Sequence, residues 1–289
     1  AMLPTITYTG GTFIRISYLL TFVCGDGTDT LFLDDSGDTA NNQGILRQDR
    51  LVGLGMGSPA DDQSRINDAL GITYGELEDL QLGLGSGSDR LVINSTHEGA
   101  TTVDTANGDD TVDLGSTPEL DADGRLQIDA DNKIVSGGSV DNINGPLTLT
   151  GGTGRDPAAT PGTGPQNKDT LNIDERADSN GNTGANAGRI AATDNGRAQV
   201  SGLDMAGIVN YDQFEILNVD LSNANDELTI ENNTDAGETT VEAGAGDDTL
   251  TANLTMPVGE AIFVASGQDG NDTLNAEGST FVVVLFCYD

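Results

Sequence analysis

The 289-residue chain has no Trp, one His, two Cys and only two Lys, Lys133 and Lys168. Each shortage excludes something. With 4% aromatic residues the usual sugar-stacking platform is missing. His97 stands alone, and no Ser-His-Asp arrangement can be built around it with any spatial warrant. Cys24 and Cys287 sit near opposite ends and match no metal-ligand spacing such as Cys-x-x-Cys. No apolar run approaches the roughly 20 residues of a membrane helix, and the start shows no signal-sequence pattern, so membrane insertion is not expected. The chain reads as a mature or excised piece. Basic residues are scarce: 12 Lys and Arg against 47 Asp and Glu leave a formal charge of −35. That charge argues against nucleic acid and anionic membranes and points to a cation as partner, although a halophile's solvated surface has the same look.

Glycine is abundant, at 39 residues, and the 36% apolar content is too high and too evenly patterned for a disordered acidic chain. One short unit recurs: a glycine-rich turn, an aspartate, then an alternating strand. It is clearest in GAGDDTLTA (244–252) and returns at 25–33, 85–93, 106–114, 167–173, 223–230 and 268–276. Glycine supplies the conformations that tight turns need. Leu31 and Leu33, Leu91 and Ile93, or Leu171 and Ile173 then place apolar side chains on one face at period two.

In chain order, residues 1–24 read as two strands and DDSGDTANNQG (34–44) as a loop. A strand follows at 45–54 and a loop at 55–65. The stretch 70–85 reads as a corner entering a strand, and strands follow at 88–94, 100–105 and 110–114. DADGRLQIDADNK (121–133) begins like an EF-hand loop, but Arg125 stands where the third acidic ligand belongs and no glycine occupies position six, so that reading is discounted. The Pro/Gly-rich stretch 151–168 reads as an excursion.

A larger repeat encloses the small one. Residues 169–188 align with 29–44 at an offset of 140, and 209–250 align with 72–112 at 137 to 138, so that Asp89 pairs with Asp226 and Asp109-Asp110 with Asp247-Asp248. His97 pairs with Asp235, which leaves it little claim to catalysis. The organisation expected is an N-terminal strand and assembly segment (1–24), a first module (25–150), a loop (151–168), a second module (169–279) and a C-terminal apolar strand (280–289). Successive turn aspartates lie 21 (89 to 110), 22 (226 to 248) and 24 (248 to 272) residues apart, about one coil of a stacked repeat. The fold class expected is all-β, a parallel β-helix (β-solenoid) with two tandem modules of about 140 residues. A Greek-key sandwich per module is the runner-up and needs longer hairpins.

GSGSDRLVI (85–93) resembles the nonapeptide of the repeats-in-toxin family, G-G-x-G-x-D-x-U-x, and GAGDDTLTA and GDGTDTLFL come close. The resemblance implies calcium held between glycine-rich turns and folding outside the cell. Here the motif occurs once per coil rather than in tandem, and Ala106 or Asn223 replaces the first glycine. The wider module is similar to a repeat of very large bacterial surface or secreted proteins, which implies only a rod-like extracellular role.

Physics gives the acidic turns their own reading. Aspartates stacked about 4.8 Å apart would repel by roughly 3 kcal/mol at an effective dielectric near 20. A calcium ion, with six to eight oxygen ligands, would relieve them. The metal-site residues expected are Asp29, Asp89, Asp109, Asp110, Asp169, Asp226, Asp247, Asp248 and Asp272. The competing reading is that these side chains only cap turns. The function expected is a non-enzymatic, extracellular or cell-surface structural protein: a calcium-stiffened rod of a surface layer, filament or adhesin stalk, with cell-surface glycans as a further partner class. A carbohydrate-active β-helix or its targeting module is the alternative. Residues 281–289 can be laid on 18–26, with Cys287 on Cys24, so head-to-tail pairing of copies into a homopolymer is also expected.

Overall fold

The computed structural model describes residues 5–8, 11–13, 16–58, 62–152, 168–193, 196–231, 237–254, 262–276, 279 and 283–286. The stretch 153–167, Asp235, residues 280–282 and Cys287, on which several expectations fall, lie outside them. Strands are the regular structure of the described residues, with 3-10 turns at Val140–Asn142 and Gly184–Asn186 and no α-helix among them.

Short alternating segments joined by glycine turns give two sheets of 11 strands each. The first runs, in spatial order, β1 (Thr5–Tyr8), β3 (Thr30–Asp34), β7 (Asp79–Gly83), β9 (Ala100–Asp104), β11 (Leu147–Thr150), β15 (Val209–Asp212), β14 (Ala198–Ser201), β13 (Gly188–Ala192), β17 (Glu227–Glu231), β19 (Thr249–Asn253) and β21 (Thr273–Asn275). The second runs β2 (Leu19–Val23), β6 (Gly71–Gly75), β5 (Arg50–Gly53), β4 (Gln43–Arg47), β8 (Arg90–Ile93), β10 (Thr111–Leu114), β12 (Thr170–Asp174), β16 (Ile216–Asp220), β18 (Glu238–Glu242), β20 (Ile262–Ser266) and β22 (Val283–Phe286). Neighbours pair in parallel except β4-β5-β6 and β13-β14-β15, which are antiparallel. The stretch 45–54, expected as one strand, is thus a hairpin: Gln48 and Asp49 form its turn, and Leu46 pairs with Leu51.

Register makes the core. Leu91, Val112, Leu171 and Leu217 are successive partners across β8, β10, β12 and β16, and all are fully buried. Leu31 and Leu80 do the same across β3 and β7, and Leu228 and Leu250 across β17 and β19. Each such side chain contributes roughly 1.5–3 kcal/mol by burial. Close stacking also explains the glycines. At Gly108 (φ +139°) a Cβ would lie 2.1 Å from the Gly87 carbonyl oxygen of the preceding unit, so only glycine fits.

The large repeat appears in the sheets with a twist of its own. Strands that correspond in sequence lie in opposite sheets: β3 and β7 of the first correspond to β12 and β16 of the second, while β8 and β10 of the second correspond to β17 and β19 of the first. From β3 to β12 the chain takes nine steps, two of them within the second sheet (β4 to β5 and β5 to β6), and the seven remaining changes of sheet, an odd number, put the copy in the other sheet.

Part of the irregular middle packs on the outside. Leu126 and Ile134 cover Ile45, Val52 and Val92 on the outer face of the second sheet. Arg90 reaches the same segment, accepting company from both sides: it forms a buried two-point ion pair with Asp113 (2.6 and 2.8 Å) and donates to the Asn132 side chain and carbonyl. In the EF-hand-like stretch, Asp121 accepts from the backbone N–H groups of Asp123 and Arg125, and Asp129 from those of Asp131 and Lys133. Those carboxylates cap their own loops.

Candidate functional site

The turn aspartates form ladders. The backbone N–H of Asn42 donates to Asp89 Oδ1 (2.8 Å), that of Asp89 to Asp110 Oδ1 (2.7 Å), that of Asp110 to Asp169 Oδ1 (2.8 Å), and that of Asp169 to Glu215 Oε2 (2.9 Å). This column precedes strands of the second sheet. At the entrance to the first sheet, Asn182 donates to Asp226 (2.7 Å), Asp226 to Asp248 (2.7 Å) and Asp248 to Asp272 (3.0 Å). Asp29 donates to Glu78 (2.8 Å) as Asp169 does to Glu215, its sequence equivalent. An N–H therefore lies between successive carboxylates, which answers part of the repulsion expected from stacking.

Burial sorts the nine aspartates. Asp29, Asp89, Asp110, Asp169, Asp226 and Asp248 are at most 3% exposed, Asp272 is half-buried, and Asp109 and Asp247 are exposed. In each Asp-Asp pair the second residue enters the buried ladder and the first an outer one. Asp109 Oδ1 accepts from Lys168 N–H (3.0 Å), and Asp247 Oδ1 from Asn271 N–H (3.0 Å), whose side-chain amide helps hold Asp247 below the usual carboxylate range. Burial pushes Asp89, Asp110 and Asp248 up to about 7 and Asp169 to about 8, against the opposing pull of the N–H each accepts. Asp29 Oδ1, Asp110 Oδ2, Asp169 Oδ2 and Asp248 Oδ2 are buried with no hydrogen-bond partner. The nine are strung one or two to a unit and do not converge on a shared point: among the described residues, the three acidic side chains whose oxygens lie within 4.8 Å of one another are Asp141, Asp178 and Asp204.

That group was not visible as a site in the sequence. Its surroundings occur twice. In the first copy Asp35 accepts from Phe13 N–H (2.6 Å), and Asp38 accepts from Ala40 N–H (2.9 Å) and from Asn42 Nδ2 (3.2 Å). In the second, Glu175 accepts from Val140 N–H (2.5 Å), and Asp178 accepts from Asn180 N–H (3.0 Å) and faces Asn182 Nδ2 at 3.4 Å. The shared signal is an acidic residue, then Asp three positions on, then Asn four further: Asp35, Asp38, Asn42 and Glu175, Asp178, Asn182. Burial, followed by neighbouring carboxylates, raises Asp35 to about 8 and Glu175 to about 9.

A third feature is an open cleft of about 700 Å³ around His97, lined also by Asp49, Tyr74, Glu76, Glu78 and Glu98. The rings of Tyr74 and His97 meet edge to face at 6.1 Å, and burial lowers the imidazole's affinity for a proton. Thr101 Oγ1 is 3.3 Å from His97 Nδ1, and the Tyr74 hydroxyl donates to the Arg47 carbonyl (2.6 Å). No protein family, curated protein or solved structure matches this chain.

Proposed function

We propose that the protein is a non-enzymatic, extracellular structural element: a parallel β-solenoid rod built from two copies of one module. The observation that carries this reading is the parallel register, interrupted once in each sheet by an antiparallel three-strand segment, with turn carboxylates joining each unit to the next in both copies. Such a chain builds length and rigidity rather than a pocket. Eleven strands at about 4.8 Å make a rod of about 50 Å. Calcium stiffens it where acidic oxygens converge, at Asp141, Asp178 and Asp204, and the charge of −35 suits a cation-rich exterior.

Exposed apolar side chains on the outermost strands, Leu19 and Val23 on β2 and Phe286 on β22, suit stacking against a further copy. For the carbohydrate-active alternative the His97 cleft is a poor site, since its four carboxylates would repel acidic sugars. Small-angle X-ray scattering at low concentration tests the rod. An elongated particle about 50 Å or more in length is expected, and a sphere would contradict it.

A further inference from the structure

We propose a divalent-cation site of calcium's size formed by Asp141, Glu175, Asp178, Asn182 and Asp204, separate from the turn ladders and independent of the rod's biological role. The five come from three separate stretches of chain: the 3-10 turn at Val140–Asn142, the loop after β12, and the turn after β14. All five offer oxygen, the donor set of a hard cation. Oxygens of Asp141, Asp178 and Asp204 lie within 4.8 Å of one another. Ligands facing each other across a calcium ion at about 2.4 Å are separated by about 4.8 Å, so these oxygens are close enough to share one ion, and calcium's loose geometry suits ligands drawn from three stretches of chain better than magnesium's octahedral order.

Asn182 supplies the second, independent observation. It is fully buried, its Nδ2 lies 3.4 Å from Asp178 Oδ2 and 3.5 Å from Glu175 Oε2, and its Oδ1 has no partner. Both contacts are longer than a good N–H···O bond. Turning the planar amide over exchanges nitrogen and oxygen in the same volume and sets a carbonyl oxygen against two carboxylates, an arrangement that only a cation between them makes favourable. Asn42 repeats the feature: it is 2% exposed, and its Oδ1 also lacks a partner. A buried amide oxygen without a partner is costly, and here it recurs in both copies at the same place in the fold. Asp141 Oδ1 is another inaccessible oxygen without a partner. Among the described residues no Lys or Arg forms an ion pair with Asp141, Glu175, Asp178 or Asp204.

The two copies differ in how complete they are. Gly-Leu-Asp-Met (202–205) corresponds to Gly-Leu-Gly-Met (53–56), so Gly55 stands where Asp204 does, and Ile14 follows Phe13 in sequence as Asp141 follows Val140. The first copy keeps the inner groups Asp35, Asp38 and Asn42 without the outer pair. One site per chain is therefore expected, with Glu175 and Asn182 at its buried end and Asp141 and Asp204 at the solvent edge, where an ion can enter.

The test is calorimetric titration of calcium chloride into the full chain stripped with chelator, with thermal melting alongside. The wild-type chain should bind one calcium saturably and melt higher with calcium present. Asp141→Asn/Asp204→Asn should melt no lower than wild type in chelator, and lose at least tenfold in affinity together with the calcium-dependent shift. Should that pair fail to fold, Asp204→Asn alone serves, because Asn accepts the positive φ of 53° there. Asp248→Asn, in the ladder, should leave calcium affinity unchanged. No saturable binding to the wild type, binding by the folded cluster variant equal to wild type, or loss of binding in Asp248→Asn instead would each overturn the proposal.

Discussion

The turn ladders and the Asp178 cluster are both made of buried carboxylates, and they use them in opposite ways. In the ladder, Asp110 turns one oxygen onto the backbone of the preceding unit, 2.7 Å from Asp89 N–H, and offers its own N–H to Asp169. From Asp89 to Glu215, and from Asp226 to Asp272, each carboxylate has a polar hydrogen from its neighbour. In the cluster, Asp141, Asp178 and Asp204 face one another, with Asn182 behind them and no base among their ion-pair partners in the described chain. The first arrangement holds units together and the second gathers oxygens at a point. Acidity alone does not separate them; the direction of the side chains does.

Removing a ladder member should have the largest effect. Asp110→Ala leaves the buried Asp89 N–H without an acceptor and should cost about 1–3 kcal/mol in urea unfolding, with calcium affinity unchanged. A loss below about 0.5 kcal/mol would mean that the clasp adds nothing. Asparagine at Asp204, which tolerates the positive φ there, should have the opposite sign in chelator, a small gain from relieved repulsion, and should turn into a relative loss when calcium is added.

pH sharpens the contrast. Asp89, Asp110 and Asp248, near 7, and Asp169, near 8, lie above the ordinary aspartate value of 3.8, so each protonated carboxyl favours the folded state. That contribution is complete below about 3.8 and is lost as pH rises through 7 to 8. In chelator, the melting temperature should therefore rise as pH falls from 8.5 to 5.5, and a flat or inverted profile would break the account. The smallest effect belongs to the outer ladder: Asp109→Ala, at an exposed position, should change stability by no more than about 0.5 kcal/mol.

Much of the fold could be read in the sequence. Alternation at 88–94, 100–105 and 110–114 locates β8, β9 and β10 to within a residue or two, because turns rich in glycine and aspartate mark their ends. The repeat at about 140 residues pairs Asp89 with Asp226 and Asp110 with Asp248, but carries neither their hydrogen bonds to the next unit nor the exchange of sheets, which follows from an odd number of sheet changes that no local signal carries. The reading failed at Gln48 and Asp49, where a two-residue polar turn inside an apolar run makes a hairpin. It also left out the burial of Arg90 and Val92, which face outward from β8 and are covered only because residues 116–138 fold back over them. The cluster was hidden for a similar reason. Asp141, Asp178 and Asp204 are far apart in sequence, and 34–44, which holds its first-copy counterpart, has the composition of an ordinary loop.

The central claim is that ladder aspartates act through an oxygen that accepts a neighbour's N–H, not through their charge. Asp110→Asn/Asp248→Asn tests it most directly, since the amide oxygen can replace Oδ1 while the charge is removed. Urea unfolding at pH 8 in chelator should show the variant at least as stable as wild type, with the difference shrinking by pH 5.5 as the wild-type carboxyls take up protons. A loss of more than about 1 kcal/mol at pH 8, restored to neither protein by acid, would show that the negative charge itself is required and would contradict the account.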